Sequence, residues 1–369
     1  MNQFVRIYLL PGAMLQSVIV AGGYGTGREV VEYFTGRGLT DGILGIGIAA
    51  VVLALVFVLS LEVVRVFKVY DYRNFFKVLL GRGWFLYEIL VLLLILLVLA
   101  VIGSAAGEIL QNELGIPRLA GAAVMLFAVT IIVFFGRELV MRLLAYWSLY
   151  LYLVFGAYLV AVLMMLGDDI VHGFANAQNE GGWFTHGAQY TFYNMTAIPV
   201  ILYCAAAIQN RRQAIVAGIT GALIAILPGL MLHISFAGFY PEILGEPLPI
   251  YAVFAVLDLT VLKLAYLFML FGTFIETGAG DLQGIIERLD AWRRERLGYG
   301  FSSWFHAGVA LLAMCLAGAL SFVGIVDLIA EGYGTLAWGF LAVYALPLFT
   351  VGIYKLYRQG NVEGPDKLR

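Results

Sequence analysis

Residues 18–34, VIVAGGYGTGREVVEYF, decide the fold of this chain. Gly22, Gly23, Gly25 and Gly27 fall within six residues of an otherwise apolar stretch. Each glycine weakens a helix by about 1 kcal/mol and admits positive φ angles, so four together predict unwound backbone. Glycines also let membrane helices pack closely, and that alternative stays open. The stretch is not a dinucleotide-binding fingerprint, because G-x-G-x-x-G is not met and no strand precedes it.

The composition places this stretch in a helical membrane protein. Of 369 residues, 62% are hydrophobic and 12% are charged, whereas a soluble domain carries about 25% charged residues. These values exclude an ordinary soluble domain, a disordered chain and a nucleic-acid-binding protein. The partners we expect are a lipid bilayer and a small organic solute, with no nucleic acid, and the oligomeric state stays open.

At about 20 residues per crossing, the chain holds roughly ten transmembrane helices, and we predict an all-α polytopic protein. The apolar stretches are residues 7–34, 41–65, 84–111, 118–136, 139–166, 188–209, 213–238, 256–280, 303–328 and 334–356. If these ten crossings alternate, 18 of the 22 Lys and Arg residues fall on the side of the N-terminus. Because cytoplasmic loops are rich in Lys and Arg, both termini are predicted to be cytoplasmic, in the cell membrane.

Three connections have features of their own. Residues 167–187 and 239–255 contain no Lys or Arg and are predicted to lie outside. The short apolar run in 239–255 fits an interfacial or re-entrant helix, because it is too short to span. Residues 67–84 alternate basic and aromatic side chains, which is typical of an amphipathic helix on the membrane surface.

A second interruption is predicted in residues 189–204, QYTFYNMTAIPVILYC. Pro199 has no N–H and therefore frees the carbonyl of Met195, beside the polar side chains of Asn194 and Thr196. A lone proline in a membrane helix is often only a kink. Here it lies in the sixth crossing, which begins the second half of a five-plus-five arrangement.

The two interruptions divide the chain into matching halves. A first five-helix repeat covers 1–166, a connection 167–187, a second repeat 188–358 and a tail 359–369. Because five is odd, the second repeat must be inverted, and interrupted helices at matching positions mark the central site of secondary transporters. The predicted solute-binding residues are Gly22, Gly23, Tyr24, Gly25, Thr26, Gly27, Tyr193, Asn194, Thr196 and Ala197, with Tyr190 as a further aromatic candidate.

This pattern resembles the leucine-transporter (LeuT) fold of the amino acid–polyamine–cation superfamily. More narrowly, GGYGTGREVVEYF in the first crossing, GSAAGEIL in the third and QYTFYN in the sixth are similar to the YkvI-like membrane proteins. The resemblance implies a solute–cation symporter with broken helices 1 and 6, and with helix 8 facing helix 1 across a cation site. It names no solute.

The eighth crossing supplies the predicted coupling residues. Thr273, Glu276 and Thr277 lie at i, i+3 and i+4 and share one helix face. Hydroxyl and carboxylate oxygens suit Na⁺, while a buried carboxyl can instead carry a proton. The resemblance adds Ala21 of the first helix, and Lys263 completes the set as a cation within the membrane. The alternative for Glu276 is a place at the cytoplasmic interface.

Charges after the first break form a predicted extracellular gate. Charged residues inside a membrane are expensive and therefore candidates for function. Arg28 and Glu32 are four residues apart and can pair, with Glu29 between them and Glu108 of the third crossing as a cross-helix partner. Lys263 could neutralise Glu29, Glu108 or a substrate carboxylate. The alternative for Arg28 and Glu32 is an ion pair that only neutralises itself.

Together these features predict a secondary active transporter that moves a small organic solute with Na⁺ or H⁺ by alternating access. Free N–H groups at two breaks would suit an amino acid or a related zwitterion or carboxylate. No cofactor and no metal site are expected, because His and Cys residues show no ligand spacing. The alternatives are a sensor, an ion channel without solute coupling, and an intramembrane enzyme with Glu29 and Glu108 as its catalytic pair.

Replacing Gly25 by Leu tests the first break. We expect G25L to abolish solute binding while the protein is still expressed, because a side chain there fills the space at the unwound backbone. The measurement is a thermal-shift screen of amino acids and small organic ions, with and without Na⁺. Ligand stabilisation that survives in G25L would place the binding site elsewhere.

Overall fold

The computed structural model describes residues 2–20, 22–134 and 137–363, and this part of the chain is helical without a strand. Seven of its helices are long and apolar enough to cross a membrane, which makes the chain a multi-pass membrane protein. They are Leu39–Phe67, Tyr72–Leu114, Tyr150–Asn176, Arg211–Phe239, Thr260–Asp290, Trp304–Ser321 and Ile325–Gln359. Two shorter apolar helices, Val5–Ile19 and Arg118–Val133, accompany them.

The α-helices run in chain order with short 3₁₀ and π segments between them. They are α1 Leu10–Ile19, α2 Gly22–Gly25, α3 Arg28–Tyr33, α4 Leu39–Phe67, α5 Tyr72–Leu80, α6 Phe85–Leu114, α7 Arg118–Phe134, α8 Arg137–Asn176, α9 Trp183–Asn194, α10 Ala197–Val200, α11 Arg211–Phe236, α12 Pro249–Leu257, α13 Thr260–Leu297, α14 Ser303–Ser321, α15 Ile325–Asp327, α16 Gly334–Phe340 and α17 Ile353–Glu363.

Helix ends follow the local sequence. Asp71 caps α5 by accepting from Asn74 N at 2.9 Å, and Asn210 caps α11 by accepting from Gln213 N at 3.0 Å. Such side chains satisfy N–H groups that have no partner within the helix. Gly115 ends α6 at a φ of 67°, which glycine adopts without a steric cost. These caps set the lengths of the apolar helices.

The connections agree in part with their prediction. The amphipathic stretch contains α5, which buries Phe75, Phe76 and Leu79. The run too short to span is α12, a nine-residue helix. By contrast, α8 continues past Leu166, where φ is −123° and ψ is 16°, and α9 begins at Trp183, so most of 167–187 is helical.

Small residues let neighbouring helices approach closely. In the contact between α4 and α11, a Cβ added at Gly218 would lie 2.8 Å from Val58 Cα. Gly12 of α1 meets Gly221 of α11 in the same way, with a Cβ 2.6 Å from the Gly221 Cα. Close approach through glycine is typical of membrane helices, where dispersion between backbones replaces the hydrophobic effect.

Adding one methyl group tests this packing. We expect G218A to lower the free energy of unfolding by about 1–3 kcal/mol, because the new Cβ overlaps the backbone of Val58. The matched control is G47A on α4, where a Cβ meets no atom within 4 Å. Thermal unfolding in detergent should show a lower Tm for G218A and an unchanged or raised Tm for G47A; equal values would contradict the proposed close contact.

Candidate functional site

The predicted break in the first crossing is present. The helix α1 ends at Ile19, and Val20 leaves helical geometry with a ψ of 83°. One turn, α2, then covers Gly22–Gly25, and Gly27 at a φ of 85° starts α3. A residue with a Cβ is strained at that φ, and a Cβ there would also meet the ring of Phe236.

The carbonyl oxygens of this break accept hydrogen bonds from other groups of the protein. Tyr266 of α13 donates its hydroxyl to Gly25 O at 2.9 Å, and Ile250 N of α12 donates to Thr26 O at 3.2 Å. The Thr26 hydroxyl itself donates to Gly23 O at 2.9 Å. Unwound backbone is tolerated at membrane depth only when it is surrounded by protein in this way. These carbonyls are therefore already paired within the protein.

The interruption predicted in residues 189–204 is present as well. The helix α9 ends at Asn194, and α10 restarts at Ala197 before the 3₁₀ turn Leu202–Ala207. The Met195 carbonyl, which we expected to be free, accepts from Ile198 N at 3.0 Å. The backbone there forms a tighter i→i+3 hydrogen bond, which gives the Met195 carbonyl the partner that Pro199, four residues later, does not supply.

Polar side chains at this second break bond mainly to their own helix. Asn194 Nδ2 donates to Tyr190 O at 3.1 Å, and the Thr196 hydroxyl donates to Tyr193 O at 2.6 Å. The predicted solute-binding residues on both breaks are buried, except for half-buried Thr196. The site is therefore sealed in this conformation.

The two breaks lie together. The helix α3 contacts α9, and α1 contacts α10. The Tyr193 hydroxyl donates to Glu29 Oε2 at 2.5 Å, and the rings of Tyr33 and Tyr193 are 5.5 Å apart. Thus a residue following the first break is bonded directly to a residue preceding the second.

Glu29 points to the centre of the molecule rather than to the predicted gate. Its side chain is buried at 2% exposure, and a Cβ added at Gly23 would collide with its Oε1. Arg28 points another way: its guanidinium donates to Glu32 at 3.0 Å and to the carbonyls of Leu244 and Glu246 at 2.9 and 3.2 Å.

The predicted pairings of Glu108 with Arg28, and of Lys263 with Glu29 or Glu108, are wrong. Glu108 accepts from Arg118 at 2.9 Å instead of from Arg28. Lys263 pairs with Glu113 at 2.5 Å and lies over the Tyr251 ring, instead of neutralising Glu29 or Glu108. Both ion pairs are partly exposed, and a pair that keeps water contact loses less hydration than a pair at mid-membrane depth.

The predicted cation residues on α13 make separate contacts. The Ser17 hydroxyl of α1 donates to Glu276 Oε1 at 3.0 Å, which joins α1 to α13. The Thr273 hydroxyl donates to Met269 O at 2.9 Å and accepts from Trp147 Nε1 at 3.2 Å. Thr277 is half-buried. Ala21 lies outside the described residues.

Sequence reasoning missed several contributors to this site. Ser17 and Tyr266 are polar groups within largely apolar stretches, a signal that we did not use. Tyr333, stacked on Tyr193 at 4.8 Å, and Trp147 belong to helices with no motif of their own. Only the folded arrangement places their side chains beside the breaks.

The chain is similar in structure to a known transporter. No family model and no curated protein match the chain. Among solved structures, it is similar to the substrate-bound outward-open state of a Na⁺-coupled sialic acid symporter, with a TM-score of 0.63 and 15% sequence identity. The match covers 92% of this chain and 78% of the symporter.

The chain has a LeuT-like fold. At 15% identity, the likeness establishes the fold alone. The narrower resemblance to the YkvI-like membrane proteins stays a prediction, as does the orientation of the termini.

Removing the Tyr266 hydroxyl tests how the first break is held. We expect Y266F to lower the free energy of unfolding by about 1–3 kcal/mol, because the buried Gly25 carbonyl loses its donor. The control is Y354F, which removes an exposed hydroxyl. The measurement is thermal unfolding in detergent. A Tm for Y266F equal to that of Y354F would mean that this bond does not stabilise the break.

Proposed function

We propose that the chain is a cation-coupled secondary transporter that moves a small organic solute by alternating access. The observation that carries the proposal is the meeting of two interrupted crossings, joined by the bond between Tyr193 and Glu29. Interrupted membrane helices that share one protein-lined centre are the site architecture of such transporters. The Na⁺-coupled symporter with the same fold supports this function.

The proposed architecture has ten crossings in two inverted halves, 1–166 and 188–358. The seven long helices account for seven crossings. The helix α7 adds one more crossing, and its 17 residues are near the lower limit for a span. The remaining two are the interrupted segments, α1 to α3 and α9 to α10. Each is divided into helices that are too short to span a bilayer on their own. Both termini are proposed to be cytoplasmic.

We place cation coupling at Glu276. Its carboxylate is buried and bonded to Ser17 on α1, so a cation or proton there acts on the contact between the first and eighth crossings. Thr277 is one residue away and can add a hydroxyl oxygen. Thr273 contributes less, since its hydroxyl already bonds to Trp147 and Met269. Either Na⁺ or H⁺ fits a carboxylate with hydroxyl neighbours.

The proposed gate consists of Arg28, Glu32 and the loop around Leu244 and Glu246. The Arg28 guanidinium bridges α3 to this loop through two backbone carbonyls. The same loop leads into α12, whose Ile250 N holds the Thr26 carbonyl at the break. Opening the loop would therefore release both the arginine and the unwound backbone, which gives access to the centre from one side.

Uptake into proteoliposomes tests the function. The purified chain is reconstituted and given a Na⁺ or proton gradient, with radiolabelled amino acids, betaine and sialic acid as probes. Saturable accumulation of one probe that collapses with the gradient is the expected result. Ion flux without accumulation of any probe would instead indicate a channel.

Replacing Glu276 by Gln tests the coupling residue. We expect E276Q to lose gradient-driven accumulation by about tenfold or more, because the amide cannot take up a proton or neutralise a cation. Exchange of labelled for unlabelled probe, which needs no net coupling, should persist. The control is E287Q, which removes an exposed carboxylate on the same helix. Accumulation by E276Q at the E287Q level would refute the assignment.

A further inference from the structure

Glu29 is a buried carboxylate that lacks a cationic partner. Its side chain is 2% exposed, and its carboxylate accepts hydrogen bonds from the Tyr193 hydroxyl and from the backbone N–H of Tyr24. Across residues 2–20, 22–134 and 137–363, no Lys, Arg or His forms an ion pair with it. Burial of a carboxylate is unfavourable unless a proton or a cation compensates its charge.

The cations nearest in sequence or topology already have other partners. Arg28, the preceding residue, donates its hydrogen bonds to Glu32 and to two loop carbonyls. Lys263 pairs with Glu113, and Arg118 pairs with Glu108. Within the described residues the chain therefore supplies no cationic side chain to Glu29, and either a proton or a cation from outside compensates its charge.

Tyrosine rings surround this carboxylate. Tyr193 bonds to it directly and packs against three other buried rings, with centroids 4.8 Å away for Tyr333, 5.5 Å for Tyr33 and 5.6 Å for Tyr190. Tyr24 adjoins Tyr190 at 6.4 Å. Within the described part of the chain, the buried hydroxyls of Tyr24 and Tyr190 have no hydrogen bond of acceptable geometry. We call these five residues, Tyr24, Tyr33, Tyr190, Tyr193 and Tyr333, the tyrosine cage.

We propose that Glu29 and the tyrosine cage bind the ammonium group of an organic solute. Aromatic faces attract a desolvated organic cation, and a carboxylate at the same place compensates its charge. This proposal rests on the proposed transport function and names the substrate class for the same site. It also changes the expectation from sequence, in which backbone N–H groups would take a solute carboxylate. Because Glu29 Oε1 lies against Gly23, a solute carboxylate at the break would meet a like charge.

Binding of size-matched probes to the full chain in detergent tests the proposal. The probes are n-butylammonium, butyrate and n-butanol, and β-phenylethylammonium, 3-phenylpropionate and 2-phenylethanol. Thermal shift is recorded in phosphate buffer free of Tris and choline, with NaCl or KCl. The expected result is stabilisation by an ammonium probe, and none by the matched carboxylate or alcohol.

Two variants assign the effect to the site. E29Q should weaken binding of the ammonium probe by about tenfold or more, since the amide keeps the shape and loses the charge. E180Q, which removes an exposed carboxylate, is the matched control. The second variant is Y193L, which keeps the Glu29 carboxylate and removes one aromatic face; it should weaken binding of the ammonium probe by about threefold or more. Size-exclusion chromatography establishes that each variant is folded.

Three results would overturn the proposal. One is equal stabilisation by the carboxylate probes, and another is ammonium binding that is unchanged in folded E29Q. The third is stabilisation by Na⁺ over K⁺ that depends on Glu29 with no response to any ammonium probe. None of these depends on a gradient, so this test and the uptake experiment can fail separately.

Discussion

A peptide group exposed to hydrocarbon without a hydrogen bond costs several kcal/mol, and this cost governs the arrangement around the first crossing. The glycines of 22–27 interrupt the helix, so the carbonyls there need partners from elsewhere in the chain. Tyr266 of α13 and Ile250 of α12 supply them. Gly22 packs against Ile102 of α6, where a Cβ would lie 3.1 Å from its side chain. One local weakness in the sequence thus fixes the positions of three other helices.

Adjacent residues on a helix point about 100° apart, and this separates the roles of Arg28 and Glu29. Both follow the break and both look like members of one charged gate when read along the chain. In the fold, Arg28 faces the loop that carries Leu244, and Glu29 faces the centre against Tyr193. The charge next in sequence is therefore unable to compensate Glu29, and an aromatic enclosure takes the place of an ion pair.

The sequence predicted the features that depend on local chemistry. The glycine cluster and Pro199 located both interruptions, and the hydropathy pattern located the seven long apolar helices. It could not predict which charges meet. Glu108 and Glu113 lie on one helix, and their partners Arg118 and Lys263 are set by loop geometry and helix register. Tyr333 stacks on Tyr193 although it comes from the last part of the chain, where no motif marks it. The sequence also could not predict the state of the Met195 carbonyl. It was expected to be free, but it accepts from Ile198 N because the hydrogen bond shifts by one residue.

The first crossing carries one carboxylate contact on each side of its break. On one side, Ser17 of α1 bonds to Glu276 of α13; on the other, Glu29 of α3 bonds to Tyr193 of α9. Because the glycine stretch between them lacks a continuous helical hydrogen-bond ladder, α1 and α3 can tilt independently at low cost. In the proposed transporter, a coupling ion at Glu276 and a solute at Glu29 would therefore act on different halves of one helix. Their effects meet only at the break, and this gives a physical route by which the binding of one ligand alters the site of the other.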